Sequence, residues 1–522
     1  MPREPDTIHS RFAPHRNLAR GWVVDLVRAA PDVDSVTGGG TIINTDARAV
    51  AAPPTVVTRP ARTGPAHARS WSTFAVAVVS VASGGVLLGR PGCGFDSSWA
   101  LTWAGDALHG RQATRPIGVA LPTPHPASLI WGALMRLGPA SASRTVWAIS
   151  TEFVLVVLLI GVFALGYRLG GRLAGSASVL TAAALPALGA AVGGGTVDVL
   201  FAAAVVSSVA LAASRPSWAV TCAAVATLAR PEGLALLTVL TVYRWRNTNR
   251  RLRIGAIAAA LLTPSAWLLM GATLFGDPLA ALHITVANAR AGHDHVGFAS
   301  VGRALHAGGG TVGVTFVICA ILAGVAHARR DAEVAFAAAA CASMGIALVV
   351  ISVNGAAIPA RYFAGELALA TPIAIGAICS LRRRWSVPVL ASSGATAAVA
   401  VFSAACVFSS LGPRANRAAA ETAQGRELSA LVSILHREKT CATISLAPHV
   451  FIPVVILQAH RPVLVTAFAG GGASGACRLA ARDALTAAGD GWGPEPAILR
   501  LETVSANAKI VAADPGWIIY VP

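Results

Sequence analysis

The stretch GFDSSWALTWAGDALHGRQATRPIGVALPTPHP, residues Gly94–Pro126, decides how this chain is organised. It follows the long apolar run Trp71–Leu88 but is too polar and too rich in proline to continue that run. Its first half predicts a helix from Ser97 to about His109. We therefore expect a large loop with its own helix directly after a first membrane span.

Four side chains of this predicted helix share one face. Asp96, Trp99, Trp103 and Asp106 follow one another at helical spacing. Indole rings settle at the headgroup level of a membrane whereas carboxylates avoid its hydrocarbon, so this face favours a functional role. The alternative for Asp96 is a simple N-cap. Asp106 lies near the negative end of the helix dipole, which predicts that another group holds it there.

Three prolines constrain the end of the stretch, in the segment Pro122-Thr123-Pro124-His125-Pro126. Because proline fixes its backbone φ angle, this segment holds the imidazole of His125 at a defined place. Ala127–Leu137 follows as a second amphipathic stretch. His125 is therefore a candidate binding residue.

The composition of the whole chain indicates a polytopic membrane protein. Of its 522 residues 55% are hydrophobic and only 12% are charged, and the mean hydropathy is +0.63. The net charge of +17 comes almost entirely from arginine, in clusters between apolar runs. That distribution follows the positive-inside rule and argues against a nucleic-acid partner.

Apolar runs of spanning length predict about eleven transmembrane helices, in an all-α membrane domain at residues 70–410. After Trp71–Leu88 the runs lie near 145–166, 173–192, 197–213, 218–243, 254–275, 311–326, 333–353, 362–380 and 386–409. The run Trp218–Tyr243 contains Arg230-Pro231-Glu232-Gly233. This interruption predicts two short helices that meet at a break.

Arginines predict the orientation of the chain in a plasma (inner) membrane. Residues 1–69 lack a periodic pattern and a signal-peptide core, and we interpret them as a disordered cytoplasmic tail. The short loops on the same side carry thirteen arginines, whereas the opposite short turns carry only Arg230 and Arg361. The loops 90–144 and 276–310 are therefore expected outside the cell.

After residue 410 the pattern changes to mixed segments, which predict a small extracytoplasmic α/β domain at residues 411–522. Its helix is expected at Arg417–His436, and its strands at Cys441–Leu446, Val463–Ala467, Ala497–Leu501 and Trp517–Val521. Cys441 and Cys477 lie in this polar region. If it is outside the cell, they are candidates for a disulfide.

Charged residues at the edges of spans need a reason, and the default reason is function. Asp198 begins a span, where it either caps the helix or belongs to a site. Arg230 and Glu232 either neutralise one another or serve a ligand. Arg361, followed by Tyr362, either snorkels to the membrane interface or clamps a phosphate.

The second outer loop contains Gly276-Asp277-Pro278-Leu279 and a further candidate binding residue, His283. Its His293-Asp294-His295 run is a weak metal signal, because the three residues are adjacent on a loop. No P-loop, GxSxG or HExxH motif occurs in the sequence. Nucleotide-driven transport, serine hydrolysis and zinc proteolysis therefore lose support.

Taken in order, several landmarks resemble the GT-C class of membrane glycosyltransferases. They are Phe95-Asp96-Ser97 with Trp99, His109-Gly110, Thr123-Pro124-His125-Pro126, Val197-Asp198, Leu228-Ala229-Arg230-Pro231-Glu232, Gly276-Asp277-Pro278-Leu279 and Arg361-Tyr362. The order is similar to that of actinobacterial members, such as the arabinofuranosyl- and mannosyltransferases of the mycobacterial envelope. The resemblance implies transfer of a sugar from a polyprenyl-phosphate carrier to an envelope glycan or glycolipid on the outer face of the membrane.

The resemblance also implies roles for single residues. Asp96 matches the first-loop carboxylate that serves as base, which accepts the proton of the acceptor hydroxyl as it attacks the anomeric carbon. Arg230 and Arg361 would neutralise the lipid phosphate leaving group. His125 would orient the phosphate or the sugar, and the two tryptophans of the loop helix would stack on a sugar face. A single displacement of this kind inverts the anomeric centre.

One departure from the class concerns the acids of the first loop. Many members carry two adjacent acids there, whereas Asp96 is followed by Ser97. Asp106 would then supply the second acid, or none is needed, and a divalent metal stays open. Two other interpretations are a transporter or flippase, which should show matching broken helices in two repeats, and a non-catalytic scaffold. The sequence shows one break only.

Overall fold

The computed structural model describes residues 66–114, 121–139, 142–245, 249–291, 296–327 and 331–385, and five short strands beyond them. The chain divides into two units, Met1–Phe74 and Ala75–Pro522. Of the first unit, the described part includes only the start of helix α1.

Helices make up all the regular structure described before residue 386. They are α1 (Ala66–Leu88), α2 (Phe95–Leu108), α3 (Pro126–Arg136), α4 (Ser143–Gly170), α5 (Arg172–Ala184), α6 (Pro186–Gly193), α7 (Val197–Leu211), α8 (Pro216–Ala229), α9 (Gly233–Arg244), α10 (Arg250–Phe275), α11 (Ala280–Ala291), α12 (Phe298–His327), α13 (Ala332–Val353), a 3-10 helix (Ala360–Phe363) and α14 (Ala364–Trp385).

Five of the described helical segments are long and apolar enough to cross a membrane: α4, α10, α12, α13 and Ala360–Cys379, which joins the 3-10 helix to α14. Helices α5 and α6 pass the same test together, as one span bent by 64°. Shorter apolar helices are α1, α7, α8 and α9. The chain is thus a multi-pass, mostly helical membrane protein. The expected span at 386–409 lies outside the described residues.

Helix α7 lies at the centre of the helical domain. Almost every side chain from Val197 to Leu211 is buried, which is the pattern of a helix surrounded by other helices. It packs against α4, α8 and α14. Where α14 crosses it, a Cβ at Gly365 would lie only 2.6 Å from the ring of Phe201. A larger residue at that position would push the two helices apart.

Breaks interrupt the described helical segments at three places. The predicted break at Arg230 is confirmed as the gap between α8 and α9. Residues 173–192, expected as one straight span, instead bend by 64° at Leu185, because Pro186 begins a new helix there. In α12 the backbone of Gly310 is non-helical, with φ +61°.

Arginines tie several helices together at one end of the domain. Arg168, in the last turn of α4, pairs with Glu333 of α13 at 2.7 Å and donates to the carbonyl of Ala210 at 2.6 Å. Arg244, at the end of α9, donates to the carbonyls of Ala212 and Ala213. Guanidinium groups here satisfy carbonyls that a helix C-terminus leaves free. All these residues belong to the side predicted to be cytoplasmic.

Near the C-terminus the described strands form one sheet in the order β2-β1-β3-β5-β4. The strands are β1 (Thr443–Ala447), β2 (Leu464–Ala467), β3 (Cys477–Ala481), β4 (Lys509–Asp514) and β5 (Trp517–Val521). β1 pairs in parallel with β2 and β3, whereas β5 pairs antiparallel with β3 and β4. The positions of β1, β2 and β5 confirm three predicted strands; β3 and β4 were not predicted.

Several predictions fall outside the described residues. They are the form of most of the tail 1–69, the helix Arg417–His436, the strand Ala497–Leu501, the pairing of Cys441 with Cys477, and the His293-Asp294-His295 run. These stay predictions.

Candidate functional site

Two glycine-rich turns bring the start of α2 against the start of α7. The amide of Gly94 donates to the carbonyl of Gly194 at 3.0 Å. Gly195 has φ +56°, and a Cβ there would collide with the carbonyl of Gly92. Only glycine suits both the backbone angle and this close approach. The turns therefore bring together the acidic residues in the first turns of the two helices.

A continuous network of charged side chains lies at this junction. Its members are Asp96, Arg361, Asp198, Arg230 and Glu232. Arg361 Nη2 lies 2.5 Å from Asp96 Oδ2, and Arg361 Nε lies 3.4 Å from Asp198 Oδ2. Arg230 Nη1 donates to Asp198 Oδ1 at 2.6 Å, and Arg230 Nε lies 2.5 Å from Glu232 Oε1. The network thus joins α2, α7, the α8–α9 break and the 3-10 helix.

These contacts decide between alternatives that the sequence left open. Gly94, not Asp96, is the N-cap residue of α2. Thr196 holds the N-cap position of α7, and its hydroxyl donates to Asp198 Oδ2 at 2.9 Å. Arg361 pairs with two carboxylates and does not simply snorkel. Capping and snorkelling therefore do not explain these charged residues.

Arg230 is the buried centre of the network. Its side chain is 2% exposed, and those of Asp198 and Glu232 are 3% and 0% exposed. The guanidinium carbon lies 3.3 Å from the ring centroid of Tyr362 and 5.5 Å from that of Phe201. A guanidinium held by two carboxylates and an aromatic face orients its neighbours. Arg230 is therefore less accessible to a ligand than Arg361.

The network opens at its other end, where the side chains of Asp96 and Arg361 are 21% and 18% exposed. Within the described residues, Asp96 Oδ1 has no hydrogen-bond partner, and neither do Trp99 Nε1 and His125 Nδ1. Buried polar atoms in native proteins are normally hydrogen-bonded. Such unpartnered atoms favour a polar ligand, and hydroxyl groups would supply both donors and acceptors.

Burial changes the acid–base behaviour of the two groups in the first outer loop. It raises the pKa of the Asp96 carboxyl above its ordinary value; Arg361 opposes this shift and Asp198 adds to it. Burial lowers the pKa of His125 to about 3, and the positive charge of Arg230 acts in the same direction. Asp96 is therefore a stronger proton acceptor than a free aspartate, and His125 is neutral at physiological pH.

The two tryptophans of α2 are packed inside the protein. Trp99 and Trp103 are 0% and 1% exposed, and their ring centroids lie 5.4 Å apart. Phe95 packs edge-on against Trp99, and Phe275 packs edge-on against Trp103. The expected shared face exists, but protein atoms cover both rings, so neither ring offers an open face for stacking. Stacking on a sugar stays a prediction.

Asp106 holds the loop that follows α2. Its Oδ2 accepts hydrogen bonds from the amide and the hydroxyl of Thr114, at 2.9 and 2.8 Å. Its Oδ1 pairs with Arg111 at 3.2 Å. These contacts explain why an acid is tolerated near the negative end of the helix dipole. Asp106 thus holds the loop, and it is not one of the five members of the charged network; a binding role for Asp106 stays a prediction.

The two histidine candidates differ in their surroundings. His125 occupies the N-cap position of α3, and its ring lies edge-on to Trp267 with centroids 5.4 Å apart. The charges of Arg230 and Asp198 act on it. His283 instead pairs with Asp277 at 2.6 Å, and its side chain is 61% exposed. A binding role for His283 stays a prediction.

One acidic residue near the network escaped the sequence analysis. Glu366 lies in α14 and is 2% exposed, and neither of its carboxyl oxygens has a hydrogen-bond partner in the part of the chain that the structure describes. The charges of Glu232 and Arg230 act on it. The sequence did contain a signal for it. Glu366 is an acidic residue inside the apolar run 362–380, and burying an acid in a membrane span is costly unless it has a function.

The described helices and loops contain no cluster of three or more His, Cys, Asp or Glu side chains that could hold a metal ion. The arginines of the network pair with its carboxylates and balance their negative charge, as a bound cation would otherwise do. Arg230 and Arg361 therefore supply the positive charge described at this site.

No protein-family model matches the sequence, and no curated protein matches it. Among solved structures, the chain is similar to the crystal structure of ArnT from Cupriavidus metallidurans bound to undecaprenyl phosphate. The TM-score is 0.48 and the identity 14%, and the match covers 87% of this chain and 98% of that chain. At this level of similarity, function has to be inferred from the residues of the site.

Proposed function

We propose that this protein is an inverting membrane glycosyltransferase. It moves a sugar from a polyprenyl-phosphate carrier to an envelope glycan or glycolipid on the outer face of the membrane. The observation that carries this proposal is the partly exposed pair of Asp96 and Arg361, in which Asp96 Oδ1 has no partner among the described residues. A base beside a cation fits the attack of a hydroxyl on a sugar whose leaving group is a phosphate.

In the proposed reaction, the donor phosphate binds to Arg361 and replaces Asp96 in that ion pair. Asp96 then accepts the proton of the acceptor hydroxyl while the hydroxyl oxygen bonds to the anomeric carbon. The bond from that carbon to the phosphate oxygen breaks, and the lipid phosphate leaves with its charge stabilised by Arg361. One displacement inverts the anomeric centre.

The remaining members of the network position these two groups. Arg230 holds Asp198, and Asp198 in turn contacts Arg361. Tyr362 supports the guanidinium of Arg230 with its ring. His125 is neutral, and we assign its unpartnered Nδ1 to a hydrogen bond with the phosphate or the sugar of the donor.

The test is sugar transfer by the purified protein in lipid, offered a panel of decaprenyl-phosphate sugars. Asp96→Asn is expected to lose about 10²- to 10⁴-fold in transfer rate and to keep donor binding, because it removes only the proton acceptor. Asp331→Asn is the matched control. Asp331 caps α13, and asparagine caps equally well. Unchanged transfer by Asp96→Asn would contradict the assignment of the base. Absence of both transfer and substrate movement with the wild type would support a non-catalytic scaffold.

The second broken span favours one alternative, a transporter or flippase of a lipid-linked intermediate. Transporters commonly use pairs of broken helices, and here both the α5–α6 and the α8–α9 segments are broken. Movement of a lipid-linked substrate across vesicles, with no transfer from any donor in the panel, would support the transporter over the enzyme.

A further inference from the structure

A narrow groove lies at the end of the helical domain that is predicted to be cytoplasmic. The start of α8, the end of α9 and the start of α10 form it, and these three helices pack against one another. Much of its lining is apolar and includes Val220, Leu240 and Leu252. Two arginines, Arg244 and Arg253, line the same groove. Neither arginine belongs to the charged network of the candidate site.

Arg253 lines the groove from the first turn of α10 and lacks a polar partner. Its Nε is buried and has no hydrogen-bond partner among the described residues. Its guanidinium carbon lies 5.3 Å from the ring centroid of Trp245, which holds the group in place but accepts none of its N–H donors in a strong hydrogen bond. Buried donors are normally hydrogen-bonded. A ligand with acceptor oxygens would therefore complete the surroundings of Arg253.

Arg244 adds a second positive charge to the groove. Its Nε and Nη2 donate to the carbonyls of Ala212 and Ala213, at 2.8 and 2.6 Å. These bonds fix the guanidinium and leave its Nη1 for another acceptor. Glu333, an acid at the same end of the domain, pairs with Arg168 instead.

The two arginines thus form no ion pair with an acidic side chain in the part of the chain that the structure describes. Arg253 also lies near the N-terminus of α10, where the helix dipole is positive. Paired guanidinium groups suit a phosphate, whose oxygens accept several N–H bonds at once. The charge of the groove therefore complements one phosphate group.

The surface beside the groove indicates that the ligand also has an apolar part. Val242 in α9 and Ile257 in α10 are 71% and 45% exposed, and α10 is long and apolar enough to span the membrane. Exposed apolar side chains on such helices face lipid. Trp245, which is 43% exposed, is of the residue type enriched where hydrocarbon meets headgroups. The groove therefore opens at the level of the lipid headgroups.

We propose that this groove binds an anionic phospholipid. The phosphodiester accepts hydrogen bonds from Arg253 and Arg244, and one acyl chain lies against the apolar lining. Basic pockets between membrane helices on the cytoplasmic side are suited to such headgroups. A lipid held by both arginines links the end of α9 to the start of α10. The inference is independent of the proposed function, because it uses none of the residues assigned to transfer.

The test compares two lipids with identical acyl chains, phosphatidylglycerol and phosphatidylcholine. Each is titrated into the purified full-length protein in detergent micelles, and mass spectrometry of the intact protein counts the lipids bound. Detergent removes the membrane surface, so diffuse attraction between basic residues and an anionic bilayer does not contribute. Wild type is expected to bind the first phosphatidylglycerol about tenfold more tightly than phosphatidylcholine, because choline brings a positive charge towards the two arginines.

Arg253→Gln removes the unpaired cation and should bind phosphatidylglycerol about tenfold more weakly than wild type. It should fold normally, because Arg253 has no ion pair to lose among the described residues. Arg251→Gln is the matched control. Arg251 is an exposed arginine in the same turn of α10 and does not line the groove. This control should bind phosphatidylglycerol as wild type does.

Equal binding of the two lipids by wild type would overturn the inference, and so would equal losses in Arg253→Gln and Arg251→Gln. Two competitors identify the source of the phosphate. Glycerophosphoglycerol, the headgroup without acyl chains, should not displace the lipid at equal concentration; displacement would make the ligand a soluble phosphate and overturn the phospholipid assignment. Decaprenyl phosphate should also compete poorly. Stronger binding of decaprenyl phosphate, lost in Arg253→Gln, would overturn the assignment in favour of the carrier lipid.

Discussion

Arg361 opposes the rise that burial causes in the pKa of Asp96, and this coupling can be measured in the pH profile of transfer. Burial raises the pKa of Asp96 and Arg361 opposes the rise, so Arg361→Gln should raise this pKa further. A base works only when deprotonated, so a higher pKa shifts the acidic limb of kcat/KM to higher pH. As the pH is lowered, wild type should begin to lose activity at a pH above the ordinary aspartate pKa of about 3.9. Arg290→Gln, an exposed arginine in α11, is the control. Coinciding limbs for Arg361→Gln and wild type would contradict the coupling.

Arg230 stabilises the fold because it neutralises two buried carboxylates. Arg230→Ala leaves Asp198 and Glu232 buried without their cation, and should cost about 3–5 kcal/mol of unfolding free energy. Arg230→Lys keeps the charge but loses the planar group that bonds on two sides and lies over Tyr362. Arg230→Lys should therefore lose less unfolding free energy than Arg230→Ala but should still be less stable than wild type. Thermal unfolding midpoints in one lipid–detergent mixture give the order, and an alanine variant as stable as wild type would disprove this role.

At the scale of the element, the contact between the two glycine turns sets how α2 meets α7. Gly195→Ala combines a left-handed backbone, which costs about 1–2 kcal/mol for a residue with a Cβ, with a collision against the carbonyl of Gly92. Gly110 has a similar φ of +64° and open space around its Cβ position. Gly110→Ala therefore shows the backbone strain alone. We expect Gly195→Ala to lower the unfolding midpoint and the transfer rate clearly more than Gly110→Ala does. Equal losses in the two variants would mean that the contact between Gly195 and Gly92 is unimportant.

Most helices were predictable because apolar period and length depend on local sequence. The helix expected from Ser97 begins at Phe95, and the break at Arg230 lies where a proline and two charges predicted it. The bend at Leu185 was missed, because the proline that follows also suits the first turn of a helix. Such local patterns locate an element, but they do not show what packs against it.

The site was predictable only in its parts. Asp96, Asp198 and Arg361 were candidates on the same side of the membrane, but their ion pairs depend on packing between segments distant in sequence. Helical spacing likewise predicted that Trp99 and Trp103 share a face, but it could not predict that other segments bury this face. Only the full packing of α2 shows these contacts.

At the scale of the whole molecule, the charged groups divide between two ends of the spans. The network of Asp96 and Arg361 lies at one end, and the arginine contacts of Arg168 and Arg244 with helix C-termini lie at the other. Arginines favour the cytoplasmic side. The network is therefore expected to face the outside, where the proposed acceptor glycan is found.

Cysteine labelling in intact cells tests this orientation. In a variant whose eight native cysteines are replaced by alanine, Asn354→Cys lies in the exposed turn before the 3-10 helix, and Ser214→Cys lies in the exposed turn after α7. A membrane-impermeant maleimide should label Asn354→Cys on intact cells and Ser214→Cys only after lysis. The reverse pattern would place Asp96 and Arg361 on the cytoplasmic face. The acceptor would then have to be a cytoplasmic molecule, and an envelope glycan on the outer face would be excluded.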